Sequence, residues 1–319
     1  MINSGVLRNL KSTASKILRR MEKLNNNTVR LNKRWFGTTT ANILSYAMLI
    51  ALSAIFLAPF IYMISGSLMS AEDIANVNVF WIPTRFVTDN YKYSFMVMNY
   101  PQRLLSSSLY TLLAVLGQVL SCALVGYSLA RFQYKLRGLF FGLVIFSLVI
   151  PPQTLIVSQY VMFSRAGLSD SWWPIILPCF FSLGLNGGLF TFIFRQSFRG
   201  LPRELEDAAM IDGLGFFQTF FRIVIPSSAS SLLVVSILSL IWQWNNYFEP
   251  SIYLRSSSKY SLTMMLSSSI WQETSQQGIS YTSGILLAAT VLASLPVILI
   301  FFILQRRFIR GIETAGLAN

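Results

Sequence analysis

Six stretches of this chain run for about 20 residues without a single Lys, Arg, Asp or Glu: 43–64, 104–129, 139–163, 172–194, 229–248 and 284–304. Crossing the hydrocarbon core of a bilayer takes about 20 apolar residues of helix. In lipid, every backbone N–H and C=O must also find a partner within the protein, which leaves helices and closed barrels as the spanning structures. The expected fold class is therefore all-α: a membrane protein of six transmembrane helices. The composition agrees, with 54% hydrophobic and 12% charged residues, against less than half apolar and about 25% charged in soluble domains.

Basic residues between the spans set an orientation. The tail before residue 40 carries Arg8, Lys11, Lys16, Arg19, Arg20, Lys23, Arg30, Lys33 and Arg34. Arg131, Lys135 and Arg137 follow the second span, Arg195, Arg199, Arg203 and Arg222 the fourth, and Arg306, Arg307 and Arg310 the sixth. The alternate segments hold only Arg85, Lys92, Arg103, Arg165, Arg255 and Lys259. An excess of Lys and Arg marks the cytoplasmic side. Both termini and residues 201–226 are thus expected in the cytoplasm, in a multi-pass protein of a bacterial inner membrane. The net charge of +13 needs no nucleic acid to explain it. The polar, basic first 40 residues do not read as a secretory leader, and insertion without cleavage is expected. Within that tail Leu7, Leu10, Ala14, Ile17, Leu18, Met21 and Leu24 recur at helical spacing. That pattern fits an amphipathic helix on an anionic leaflet; a basic tail that only anchors topology is the other reading.

Several classes of function have little to work with. The chain contains no histidine, which removes the commonest general base and metal ligand. Cys122 and Cys179 both lie inside apolar spans and read as small core residues. No metal or cofactor site is expected, and a membrane-embedded enzyme is a poor fit. A stand-alone secondary transporter is the alternative function, but proton-driven ones carry ionisable residues within their spans, and these spans have none. The G-x-x-x-x-G-K-[ST] phosphate loop is also missing, so the chain does not bind ATP by that route.

Irregular spans supply candidates for a solute pathway. Pro151, Pro152 and Gln153 interrupt the third span. Proline frees backbone groups that must be satisfied by neighbouring helices or a water-filled cavity; a kink that improves packing is the plainer reading. The fifth span ends Trp242-Gln243-Trp244-Asn245-Asn246-Tyr247. The aromatic rings suit an interfacial belt, whereas Gln243, Asn245 and Asn246 suit a neutral polyhydroxylated solute.

Residues 201–226 are too polar to cross a membrane, yet they are patterned as two short helices. Pro202 suits a first helical turn, and Glu204, Glu206 and Asp207 suit the positive end of the helix dipole. Leu205, Ala208, Ala209 and Ile211 form a candidate apolar face. Asp212-Gly213 reads as a stop and turn. Phe216, Phe217, Phe220 and Phe221 form a second apolar face, and Pro226 precedes the fifth span. The segment is either a bent knob that presents acidic and small residues to a partner, or a helix lying among headgroups.

Asp207-Ala208-Ala209, three residues, Gly213, nine residues, then Ile223-Val224-Ile225-Pro226 resembles the E-A-A-x3-G-x9-I-x-L-P loop of permease subunits from binding-protein-dependent ABC importers. Asp207 stands for the family's glutamate and Ile225 for its leucine. Ile211-Asp212-Gly213 is similar to the carbohydrate branch. Ile150-Pro151-Pro152-Gln153, the Trp242–Asn246 cluster and Gln305-Arg306-Arg307-Phe308-Ile309-Arg310-Gly311 are similar to the second permease of maltose-type importers. The likeness covers roughly residues 40–319.

The resemblance implies a domain of residues 41–319 that works in a heterodimer with a second, related permease. Two separate ATPase subunits would drive it, and an external solute-binding protein would deliver a carbohydrate. It implies that Glu206, Asp207, Ala208, Ala209, Gly213 and Pro226 couple the permease to the ATPases. In maltose-type systems the C-terminal tail, here Glu313–Asn319, also touches them.

Overall fold

In the computed structural model the described residues are 42–266 and 283–316. The tail before residue 40, with its expected amphipathic helix, lies outside them, as do the last three residues. Among the described residues the secondary structure is helical, with no strand. The chain divides into two units, residues 1–62 and 63–319. Helix α1 (Asn42–Ser67) supplies the described part of the first unit, and its side chains there are almost all exposed.

In the second unit the helices are α2 (Ala71–Ala75), α3 (Asp89–Val97), α4 (Tyr100–Arg131), α5 (Arg137–Val149), α6 (Pro152–Arg165), α7 (Trp173–Cys179) and α8 (Gly187–Gly200). They continue with α9 (Glu204–Ile211), α10 (Phe216–Ser227), α11 (Ala229–Trp244), α12 (Phe248–Tyr253) and α13 (Ser283–Gly316). The element at the centre is α4, whose 32 residues make a rod of about 48 Å. That exceeds the roughly 30 Å of hydrocarbon in a bilayer, so an apolar rod of this length carries its last turns beyond the lipid.

Three helices (α1, α4 and α13) are long and apolar enough to cross a membrane, or up to five if each of two bent pairs counts as one span. The six apolar runs therefore do not become six straight helices. The third run divides into α5 and α6, bent by 103°. Ile150 precedes a proline, which disfavours helical backbone, and it is extended at ψ 119, as is Pro151 at ψ 128. The fourth run divides into α7 and α8, with Ser182 and Asn186 both left-handed between them. The fifth run follows an 84° bend between α10 and α11.

The main core lies where α4 meets α8, α10 and α11. Val119, Cys122, Ala123 and Tyr127 of α4 pack with Phe190, Phe194 and Phe198 of α8, Phe220 and Val224 of α10, and Val235 of α11. Gly126 lets α4 and α8 approach: a Cβ there would sit 2.8 Å from the Phe194 Cβ and 3.0 Å from the Arg195 nitrogen. Small residues at such crossings are the usual device of membrane helices. A second core joins Met98, Tyr100 and Trp244 to Ile285, Ala289 and Ala293 of α13. A third gathers Ile156, Phe163, Ile175 and Tyr253.

Candidate functional site

Local chemistry explains α9 and α10. Pro202 precedes α9, whose first turn carries Glu204, Glu206 and Asp207. Gly213, at φ +81, ends it. The Gly213 N–H bonds the Met210 carbonyl and the Leu214 N–H bonds the Ala209 carbonyl, each at 3.0 Å. This is the paired closure that a left-handed residue permits after a helix. The Gly215 N–H then donates to Gln218 Oε1 at 3.2 Å as α10 begins. Pro226 has no N–H for the turn before it. The helix widens there into a π turn over Phe220–Val224, in which the Ile225 N–H reaches the Phe220 carbonyl.

A buried cluster lies beneath α9. Glu206 Oε1 sits 2.7 Å from Arg131 Nε, with both side chains under a tenth exposed. This is a charge contact without hydrogen-bond alignment. The Tyr127 hydroxyl donates to Glu206 Oε2 at 2.7 Å, and Arg131 Nη2 donates to the Leu201 carbonyl at 2.8 Å. The Tyr127 ring stacks on Phe216 at 5.4 Å and meets Phe198 edge-on at 5.8 Å. Beside these groups is a cavity of about 390 Å³, lined in part by Arg203, Asp207, Met210 and Thr219.

The structure therefore separates residues that the sequence motif groups together. Glu206, expected on a presented acidic face, points inward, as does Ala209. Residues three and four apart share a helix face, so Asp207, Ala208 and Ile211 lie on the side away from Glu206 and Ala209, with Leu205 and Met210 on the two flanks, all five exposed. Ile211 is 87% exposed. The phenylalanines divide in the same way, with Phe220 buried and Phe217 and Phe221 exposed. Pro226 is exposed.

The pathway candidates also scatter. Pro151, Pro152 and Gln153 lie exposed at the α5–α6 elbow. Asn245 is exposed and bonds back to the Ile241 carbonyl of its own helix at 2.9 Å. Gln243 is buried: its Nε2 lies 3.3 Å from Gln118 Oε1, and Tyr110 donates to its backbone carbonyl at 2.7 Å. Asn246 is buried and donates to Glu249 Oε2 at 2.7 Å. Sequence reasoning missed Tyr127, Gln118 and Glu249, and it took Arg131 only as a marker of topology. Signals for them existed: Tyr127 and Arg131 stand one helical turn apart, and Gln118 is a polar break in an apolar run.

A comparison with protein families matches residues 123–314 to the binding-protein-dependent transport system inner membrane component. The chain belongs to this family. Among curated relatives, the permease is 30% identical to Protein LplC of Bacillus subtilis, over 81% of this chain and 88% of that one. It is 29% identical to the lactose transport system permease protein LacG of Rhizobium radiobacter, over 85% and 94%. It is 30% identical to the arabinooligosaccharides transport system permease protein AraQ of Halalkalibacterium halodurans, over 87% and 98%. Its fold matches a chain of a bacterial ABC transporter involved in the import of the acidic polysaccharide alginate, with a TM-score of 0.71 at 21% identity, covering 84% of this chain and 96% of that one. The permease is thus an inner-membrane transport component, of a family that carries no catalytic centre.

Proposed function

We propose that this permease forms half of the translocation pathway for a carbohydrate, most simply an oligosaccharide, in an ATP-driven importer. A second, related permease supplies the other half. Two separate ATPase subunits provide the work, and an external solute-binding protein delivers the solute to the outer loops. Relatives named for lactose and arabinooligosaccharide transport support the solute class. Membership of a binding-protein-dependent family argues against a stand-alone carrier.

In this reading the chain crosses the inner membrane six times, the third and fourth crossings being the broken ones, with both termini and residues 201–226 cytoplasmic. Asp207 and Ala208 are contact residues for the ATPase, Ala209 seats α9 on the bundle, Gly213 makes the turn and Pro226 shapes α10. Pro151, Pro152, Gln153 and Asn245 face the pathway, while Gln243 and Asn246 support its wall from behind.

The observation that carries the reading is the outer face of α9. Ile211, 87% exposed, lies there with Asp207 and Ala208, and Leu205 and Met210 flank it at 45% and 60%, on a segment too polar to cross a membrane. An exposed isoleucine beside an acidic and a small residue suits docking on a protein surface. Proline cannot adopt φ +81, so Gly213→Pro re-aims α9 without touching a span. Solute uptake and the solute-stimulated ATPase of the assembled complex are expected to fall to background, with the amount of permease in the membrane unchanged. Normal uptake by that variant would sink the proposal.

A further inference from the structure

Only two of the eight side chains of α9 are buried, Glu206 and Ala209. An isolated helix of this length is marginal in water, so what lies under those two positions decides how firmly α9 is held. Ala209 buries only a methyl group, so Glu206 is the buried side chain that reaches beyond α9. Its partners both belong to α4. Arg131 closes α4 and also grips the Leu201 carbonyl just past α8. Tyr127 lies one turn earlier on the same face of α4 and takes the second carboxylate oxygen. The ends of α4, α8 and α9 therefore meet at the Glu206–Arg131 pair. A charge pair withdrawn from water depends on further hydrogen bonds to its remaining sites; here the tyrosine bonds the second carboxylate oxygen and the Leu201 carbonyl bonds Arg131 Nη2.

The flanks of α9 are short turns. Leu201, Pro202 and Arg203 join it to α8 outside regular helix, and Gly213 joins it to α10. A push on α9 could be absorbed at these joints. The carboxylate links the push instead to α4, the most deeply packed helix. Nine residues along from Tyr127 the same rod carries Gln118, which bonds Gln243 of α11.

We propose that Glu206, Arg131 and Tyr127 form a strut that transmits displacement of α9 to α4, acting as positioning residues rather than as ATPase contacts. The proposal rests on the reading of α9 as the ATPase-docking helix, and its test separates the two. Ala208→Cys places a thiol on the exposed face, while the native Cys122 and Cys179 are buried. In the complete importer reconstituted in proteoliposomes, cross-linking from position 208 to the ATPase reads docking, and ATP hydrolysed per solute moved reads transmission.

With the strut broken by Glu206→Gln, cross-linking and ATPase rate are expected within about twofold of the parent. Transport falls about tenfold, as removing the charge from a buried pair and its hydrogen bond allows, and the ATP-to-solute ratio rises to match. Tyr127→Phe keeps the ring stack, loses one bond and raises the ratio about threefold; it decides the matter alone if Glu206→Gln fails to assemble. An unchanged ratio in the variants that assemble overturns the strut, and so does lost cross-linking in Glu206→Gln, which makes Glu206 a docking residue. No cross-link in the parent overturns the docking reading and the strut with it.

Discussion

Asp170 shows how much one side chain can organise. It sits in the left-handed region at φ 53, which Asp tolerates better than most residues. Its carboxylate accepts the Arg255 and Ser256 N–H groups at 2.9 and 3.0 Å, the Ser256 hydroxyl at 2.5 Å, and the Lys259 ammonium at 3.0 Å. The Ser256 hydroxyl, then the two N–H groups, then Lys259 hold the carboxyl well below the usual carboxylate range. A carboxyl depressed by folding contributes order in full above its ordinary value of about 3.9, and loses it only as pH falls through the lower folded value. Amide protection at Arg255 and Ser256, corrected for intrinsic exchange, should persist from neutral pH through pH 4 and fade only in stronger acid. Asp170→Asn keeps one acceptor and the backbone conformation, and it should weaken protection at all pH values while removing the acid-dependent step. The same acid step in both proteins would refute the assignment. None of this was legible beforehand. Asp170 was one acid in a short loop, and its four donors lie 85 to 89 positions away.

At the scale of elements, the crossing of α4 and α8 is the joint on which the core depends. Gly126 leaves no room for a side chain against Phe194 and the Arg195 backbone. Gly126→Val should therefore push the two helices apart. Forcing added methyl groups into a packed contact costs about 1–3 kcal/mol, read as a lowered melting temperature of the purified assembly. An unchanged melt would mean that the crossing is looser than described. Among these elements, α9 and α10 were the most legible from sequence. Pro202, Gly213 and Pro226 act within one or two turns of where they stand, so local chemistry suffices to place them. The α5–α6 elbow was half legible: Pro151 and Pro152 announced a break, but its 103° angle depends on what each arm packs against.

At the scale of the molecule, much apolar surface has no cover within the chain. None of the α5 side chains is buried, and α1 shows Ile43, Leu44, Ile50, Ile55 and Phe56 more than 60% exposed. Lipid satisfies part of such a surface. In the proposed assembly a second permease covers the rest, and partners that bind only the folded state stabilise it, by about 2.7 kcal/mol at a hundredfold excess over Kd. Affinity purification of the tagged permease from its native membrane should recover a second related permease and ATPase subunits. The chain expressed alone should melt earlier than the assembly. Recovery of the chain alone, with an unchanged melt, would count against an obligate assembly.

Charge-free runs, paired prolines and the spaced D-A-A…G…P signature were enough, read in a line, to establish a helical membrane chain, its family and the two short helices of residues 201–226. Hydrophobic length and turn chemistry are local properties, written where they act. Only the tertiary structure decided that Glu206 turns inward while Asp207 faces out, that Gln243 is buried, and that Arg131 is a partner as well as a topology signal. Which side of an eight-residue helix is covered depends on what lies beneath it. Here that is a tyrosine 79 positions away, brought there by the packing of α4 rather than by anything in α9 itself.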